Sequence, residues 1–250
     1  MMDDEFIKVE IRELEKRDLS KYTLIEGFPG IGLTGTIAAK FLIEKLNFRR
    51  FGYIYSNIFI PIIRVRESKP LHPSRIFIND KYKLVVILSE QIIPNRYMDD
   101  FARAIAEWVQ KKKIKRVISL SGIRTEEEEY AVYGIAANDK SKKLFPKYGI
   151  KEVEEGVTSG ITALILLELK YTNIEAISLL ATVKMTTDYK AAAEIIKKLN
   201  QMFEFNIDVK PLEEEAKKVE AEITQYLKRL KALQKHTQEL EEQGAPRYYA

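Results

Sequence analysis

The 250-residue chain contains no cysteine. That absence excludes disulfides, thiolate nucleophiles and cysteine-ligated zinc or iron–sulfur centres together. Histidine is nearly as scarce, with only His72 and His236, so multi-histidine metal sites and histidine relays have almost nothing to draw on. No metal and no cofactor are expected. Charge of one sign is also missing: 41 Lys and Arg against 37 Asp and Glu leave a formal charge of +4. So small an excess gives no reason to expect nucleic acid or an anionic membrane as a partner. Long apolar runs are absent too. The stretch from Val157 to Leu167 stops at Glu168, far short of the ~20 residues that a spanning helix needs. The first twenty residues alternate acidic and basic side chains without the apolar centre of a signal peptide, and the expected compartment is the cytoplasm.

What the chain has is apolar content of 46%, enough for one sizeable core. Residues 1–209 alternate strand-like and helix-like patterns. Tyr22–Glu26, Phe51–Tyr55, Ile58–Val65, Leu84–Leu88, Val117–Leu120 and Ile174–Thr182 read as strands. Pro61 marks the third of these as an edge or a bulge. The runs LVVIL and VISL are continuous, as in strands buried on both faces of a parallel sheet. Thr34–Leu46, Asp99–Gln110, Thr158–Leu169 and Tyr189–Phe203 read as helices, with Asp99 or Asp100 capping the second. This alternation predicts a three-layer α/β/α sandwich around a largely parallel central sheet.

The last forty residues follow another rule. Leu212, Val219, Tyr226, Leu233 and Leu240 are spaced by seven, and Ala216, Ile223, Leu230 and Thr237 lie four after each of the first four. Such a 3-4 seam belongs to helices that pack on one another. Pro211 fits the first turn, while Gly244 and Pro246 end the pattern. Residues 210–243 are therefore expected as a helical arm of roughly 45–50 Å. It either bundles protomers of a homo-oligomer or lies along its own domain.

The sharpest local feature is Gly27-Phe28-Pro29-Gly30-Ile31-Gly32-Leu33-Thr34-Gly35. Gly30, Gly32 and Gly35 satisfy G-x-G-x-x-G between a strand and a helix, the setting of a dinucleotide fingerprint. The strand after it ends in Ser56-Asn57, with no carboxylate for a ribose. Two readings follow. The glycines make a tight turn that lets the helix press on the sheet, or they cradle a phosphate in a nucleotide- or nucleoside-binding enzyme.

Other clusters carry ordinary explanations. Lys111–Arg116 closes a helix, where cations favour its C-terminus. Glu126–Glu129 reads as a solvated loop. Glu90 and Asp188 read as a cap or an ion pair. No base stands out beside Ser56, Ser89, Ser119 or Ser121, so no catalytic residue is assigned and the chain is not expected to be an enzyme. Residues 244–250 form a tail ending Arg247-Tyr248-Tyr249-Ala250, where two aromatics and a carboxylate suit a pocket on a partner.

The Gly27–Gly35 turn closely resembles the signature of the proteasome assembly chaperone 2 family. So do Ala191–Ala193 with the helix that follows, Phe205-Asn206-Ile207-Asp208 and the charged C-terminal helix, a likeness covering about residues 20 to 225. The resemblance implies an α/β/α sandwich like that of nucleoside phosphorylases without their active-site residues, acting as an ATP-independent chaperone. The tail also resembles the hydrophobic–tyrosine–any-residue (HbYX) motif by which proteasome activators and assembly factors enter pockets between α-subunits of the 20S proteasome. That implies Tyr248 as the hydrophobic element, Tyr249 as the motif tyrosine, and the Ala250 carboxylate paired with a pocket lysine.

Overall fold

Four apolar strands set the architecture. In the computed structural model, which describes residues 7–125, 129–212, 214, 225 and 228, β2 (Thr23–Gly27), β7 (Leu84–Ser89), β8 (Arg116–Ile123) and β11 (Glu175–Thr182) lie side by side and parallel. All are buried on both faces, as their mainly apolar sequences require, with Glu26, Ser119 and Ser178 among the polar exceptions. Antiparallel strands flank them. On one side come β6 (Ser74–Asn79), β3 (Arg49–Ser56) and β1 (Val9–Glu13). On the other, β9 (Val132–Ala136) pairs antiparallel with β11, and β10 (Lys151–Glu152) parallel with β9. The resulting nine-stranded order is β1-β3-β6-β7-β2-β8-β11-β9-β10. The sheet is thus parallel at its centre and mixed overall.

Helices cover both faces, giving the expected α/β/α sandwich. On one face α1 (Thr34–Lys45) packs against β2, β7 and β8, and α6 (Tyr189–Phe203) against β9, β11 and α1. Ile37, Phe41, Leu42, Ile195, Ile196 and Leu199 meet Ile25, Val86, Ile118 and Leu179 in this half of the core. On the other face α2 (Met98–Lys111) and α5 (Ile161–Leu169) pack together, placing Phe101, Ile105, Ile165 and Leu169 over Leu24, Val85, Val117 and Ala176. Each such side chain contributes ~1.5–3 kcal/mol by leaving water, so the faces carry the stability and the loops are left to carry specificity. Two short helices, α3 (Asp139–Lys142) and α4 (Leu144–Tyr148), link β9 to β10.

Two local expectations need correction. Ile58–Val65 is not a strand: turns at Ser56–Phe59 and Ile60–Ile62 occupy it, and Pro61 has no N–H for a ladder. Extension resumes only at β4 (Arg64–Arg66), which pairs with β5 (Lys69–Leu71) as a hairpin outside the main sheet. Helix α2 is capped by neither Asp99 nor Asp100. Tyr97 holds the N-cap position, and both aspartates lie within the first turn, where they oppose the positive end of the helix dipole. Most of the arm at 210–243 and the whole tail at 244–250 lie outside the described residues.

Candidate functional site

The glycine turn joins three loops at the carboxyl end of the parallel strands. Strand β2 ends at Gly27, Phe28 buries its ring edge-on against Phe101 with centroids 5.7 Å apart, and one 3-10 turn, Ile31–Leu33, leads into α1. Gly32 takes φ 65°, the left-handed region that glycine tolerates. A Cβ there would also sit 2.7 Å from the methyls of Val183, which follows β11. The backbone N–H of Asp188 donates to the Gly32 carbonyl at 2.9 Å.

Gly35 is closer still to its neighbours. A Cβ on it would lie 2.0 Å from the Leu120 carbonyl oxygen of β8. Opposite, a Cβ on Gly27 would lie 2.4 Å from the Gly35 carbonyl oxygen. These two glycines let α1 rest directly on the backbones of β2 and β8. Gly30 differs, its nearest atom being Ser121 Oγ at 3.6 Å.

This geometry favours the packing reading of the motif. Thr34, Gly35 and Thr36, the first turn of α1, are buried, and the Thr34 N–H donates to the Ile31 carbonyl, whereas a phosphate-binding turn presents its N–H groups to the ligand. Strand β3, which would carry the ribose-binding carboxylate, is separated from β2 by β6 and β7. Its terminal Ser56 and Asn57 bind Lys8 instead: the Ser56 hydroxyl donates to the Lys8 carbonyl at 2.7 Å, and Lys8 N–H donates to Asn57 Oδ1 at 2.9 Å.

The carboxylates singled out in the sequence do structural work. Asp188 N-caps α6: its Oδ1 accepts from Ala191 N–H at 2.9 Å, and its Oδ2 from Lys184 N–H at 2.8 Å and the Tyr130 hydroxyl at 3.0 Å. Burial, then the Asp188 charge, pushes the Tyr130 hydroxyl up to about 12. Glu90, buried, accepts from Arg64 and from Arg75 at 2.8 Å each. Two cations of the basic run at 111–116 are held in ion pairs, Lys112 with Glu13 and Arg116 with Glu175, both at 2.6 Å. His72 stacks flat on Tyr53 at 3.7 Å. Burial, with the charges of Arg12 and Arg50, lowers its pKa. Among the described residues no three His, Asp or Glu side chains gather as a metal site, and no helix is long and apolar enough to cross a membrane.

One buried group escaped sequence reasoning. Glu26 on β2 is fully buried in register with Ser119 of β8, itself in register with Ser178 of β11. Neither Glu26 oxygen meets hydrogen-bond geometry. Desolvation pushes its carboxyl up to about 8, offset only in part by the neighbouring Ser119 hydroxyl. In the sequence, Glu26 looks like the polar end of a strand.

Comparison with known proteins places this fold. The model of the PAC2 family matches residues 24–227. Protein MJ0106 of Methanocaldococcus jannaschii is 30% identical over 209 residues, covering 83% of this chain and 86% of that protein. Among solved structures, Pyrococcus furiosus PbaA, an archaeal homologue of proteasome-assembly chaperone, superimposes with a TM-score of 0.79 at 26% identity, over 91% of this chain and 99% of that one. Pyrococcus furiosus PbaB, an archaeal proteasome activator, shares the fold with a TM-score of 0.70 at 22% identity, over 88% of this chain and 98% of that one. With its glycine turn packed as a structural joint and its family model spanning most of the sequence, the chain belongs to the PAC2 family.

Proposed function

We propose that this protein is an ATP-independent chaperone or binding factor in 20S proteasome assembly, working without catalysis as a homo-oligomer in the cytoplasm. The reading is carried by the family match over residues 24–227, reinforced by the likeness to PbaA along nearly all of that chain. The buried first turn of α1 supports the non-nucleotide side of the proposal, because Gly27, Gly32 and Gly35 of the motif lie against protein atoms.

Its anchor is the tail. Tyr248 and Tyr249 fill a pocket between proteasome α-subunits, and the Ala250 carboxylate pairs with a pocket lysine. Each tail binds weakly by itself. Several tails on one oligomer turn each further contact into an intramolecular step, so avidity exceeds any single affinity. The arm at 210–243 sets the reach of the tail.

Native mass spectrometry of the full chain mixed with proteasome α-rings, beside a variant lacking Tyr248–Ala250, tests this. A complex with the full chain that disappears on truncation is the expected result. A complex that survives truncation moves the interface to the arm or the α/β body. Absence of any complex overturns the reading.

A further inference from the structure

Helix α1 covers β2, β7 and β8, and among the described residues no helix packs to the same extent on the adjoining β6. Between α1 and the β4–β5 hairpin a groove of about 930 Å³ runs over β6 and the end of β7. Its apolar lining comes from Ile43 of α1, Val65 and Leu71 of the hairpin, Phe77 of β6 and Leu88 of β7. At its base Glu90 is held between Arg64 and Arg75, both at 2.8 Å. Two guanidiniums and one carboxylate thus meet in the lining of the groove. Arg50, Arg66 and Lys69 stand exposed on the rim. Around the whole lining seven cations face three carboxylates, on a chain whose charges otherwise nearly balance.

We propose that this groove docks an acidic segment of a partner protein, one in which Asp or Glu alternates with apolar residues. The apolar floor takes the apolar residues and the cationic rim takes the carboxylates, an arrangement that gives specificity and steers encounter. A nucleic acid fits less well, because Glu44 and Glu67 interrupt the positive lining where a continuous phosphate backbone would run. The groove is built from residues 40–90 and rests on neither the tail nor the proteasome reading.

The test is fluorescence anisotropy of the full-length protein with a labelled peptide of alternating Glu and Leu, beside the same peptide with Gln for Glu. Saturable binding at low salt is expected. It should weaken by roughly tenfold for the Gln peptide, and by roughly tenfold for the variant Arg50→Glu/Arg66→Glu/Lys69→Glu. The single variants Arg66→Glu and Lys69→Glu, both on the hairpin, serve if the triple variant does not fold, and each should weaken binding by about threefold. Equal binding by wild type and variants, or no saturable binding, overturns the proposal. Tighter binding of a single-stranded oligonucleotide of equal charge overturns it in favour of a nucleic acid. Self-association that these substitutions abolish, read by sedimentation velocity, assigns the groove to a second copy of this chain instead.

Discussion

Gly35 in the first turn of α1 faces the Leu120 carbonyl of β8 so closely that a Cβ would lie 2.0 Å from the oxygen. The contact is with backbone at the centre of the sheet, so neither side can move away without shifting a whole element. Gly35→Ala is therefore expected to destabilise the protein by about 3 kcal/mol or more, with the change in urea midpoint as the measurement. Gly30→Ala is the control. Its Cβ would meet nothing nearer than 3.6 Å, and its effect should stay within about 0.5 kcal/mol. Equal losses at the two positions would contradict the packing account of the turn.

Glu26 makes stability depend on pH in an unusual direction. Burial pushes its carboxyl up to about 8 in the fold, against 4.5 for an exposed glutamate. Below about 4.5 the group is protonated in both states and its ionisation has no effect on stability. As pH rises from there the unfolded chain gives up its proton while the folded chain keeps it, so stability falls until about pH 8 and then levels. The integrated loss is on the order of 5 kcal/mol. Glu26→Gln keeps the shape and removes the proton. Melting temperatures of wild type and variant across pH 5 to pH 9, read as a difference, should therefore diverge toward alkaline pH, the variant being the more stable. Parallel curves would show that the carboxyl is not buried in solution as it is here.

Asp188 unites the loop after β11, the start of α6 and Tyr130 through one buried carboxylate. Asp188→Ala strips the cap and strands those donors together, so a loss of about 2–4 kcal/mol is expected. Asp188→Asn retains one acceptor oxygen and should recover part of it. Guanidinium unfolding of the two variants side by side separates the cap from mere volume, since Ala and Asn would then rank equally only if the hydrogen bonds carried nothing.

Much of this architecture is visible in the sequence, and what is not has physical causes. LVVIL and VISL are legible because strands buried on both faces are apolar at nearly every position, Ser119 being the one exception in these two runs. The helix at Tyr189–Phe203 is legible because Asp188 supplies a cap and the apolar spacing is regular. Strand β1, VEIRE, hides because it sits at a sheet edge and is charged at alternate positions. β6, SRIFIN, begins with Ser74 and Arg75, and Arg75 is buried against Glu90, fifteen positions further along the chain and just past the end of β7. The glycine motif could be found by eye, but its role depends on Leu120 and Val183, far away in sequence. The cationic groove is likewise invisible before folding, since its cations come from α1, β3, β4, β5 and β6.

The Arg64–Glu90–Arg75 cluster supports a last prediction about how the hairpin is held. Glu90 is 3% exposed and Arg75 9%, while Arg64 reaches in from β4 at 20%. Removing the central charge takes away the carboxylate that both guanidiniums share, which costs more than the pair contributes when intact. Glu90→Gln is thus expected to lose about 3–5 kcal/mol, and to release the hairpin first because Arg64 is its link to the sheet. Arg64→Met, by contrast, leaves Arg75 on Glu90 and should cost far less. Hydrogen exchange at residues 64–71 distinguishes the cases: fast exchange there in Glu90→Gln, with the β7 amides still protected, identifies the carboxylate as the clamp. Uniform loss of protection across β7 and the hairpin would mean instead that Glu90 supports the sheet as a whole.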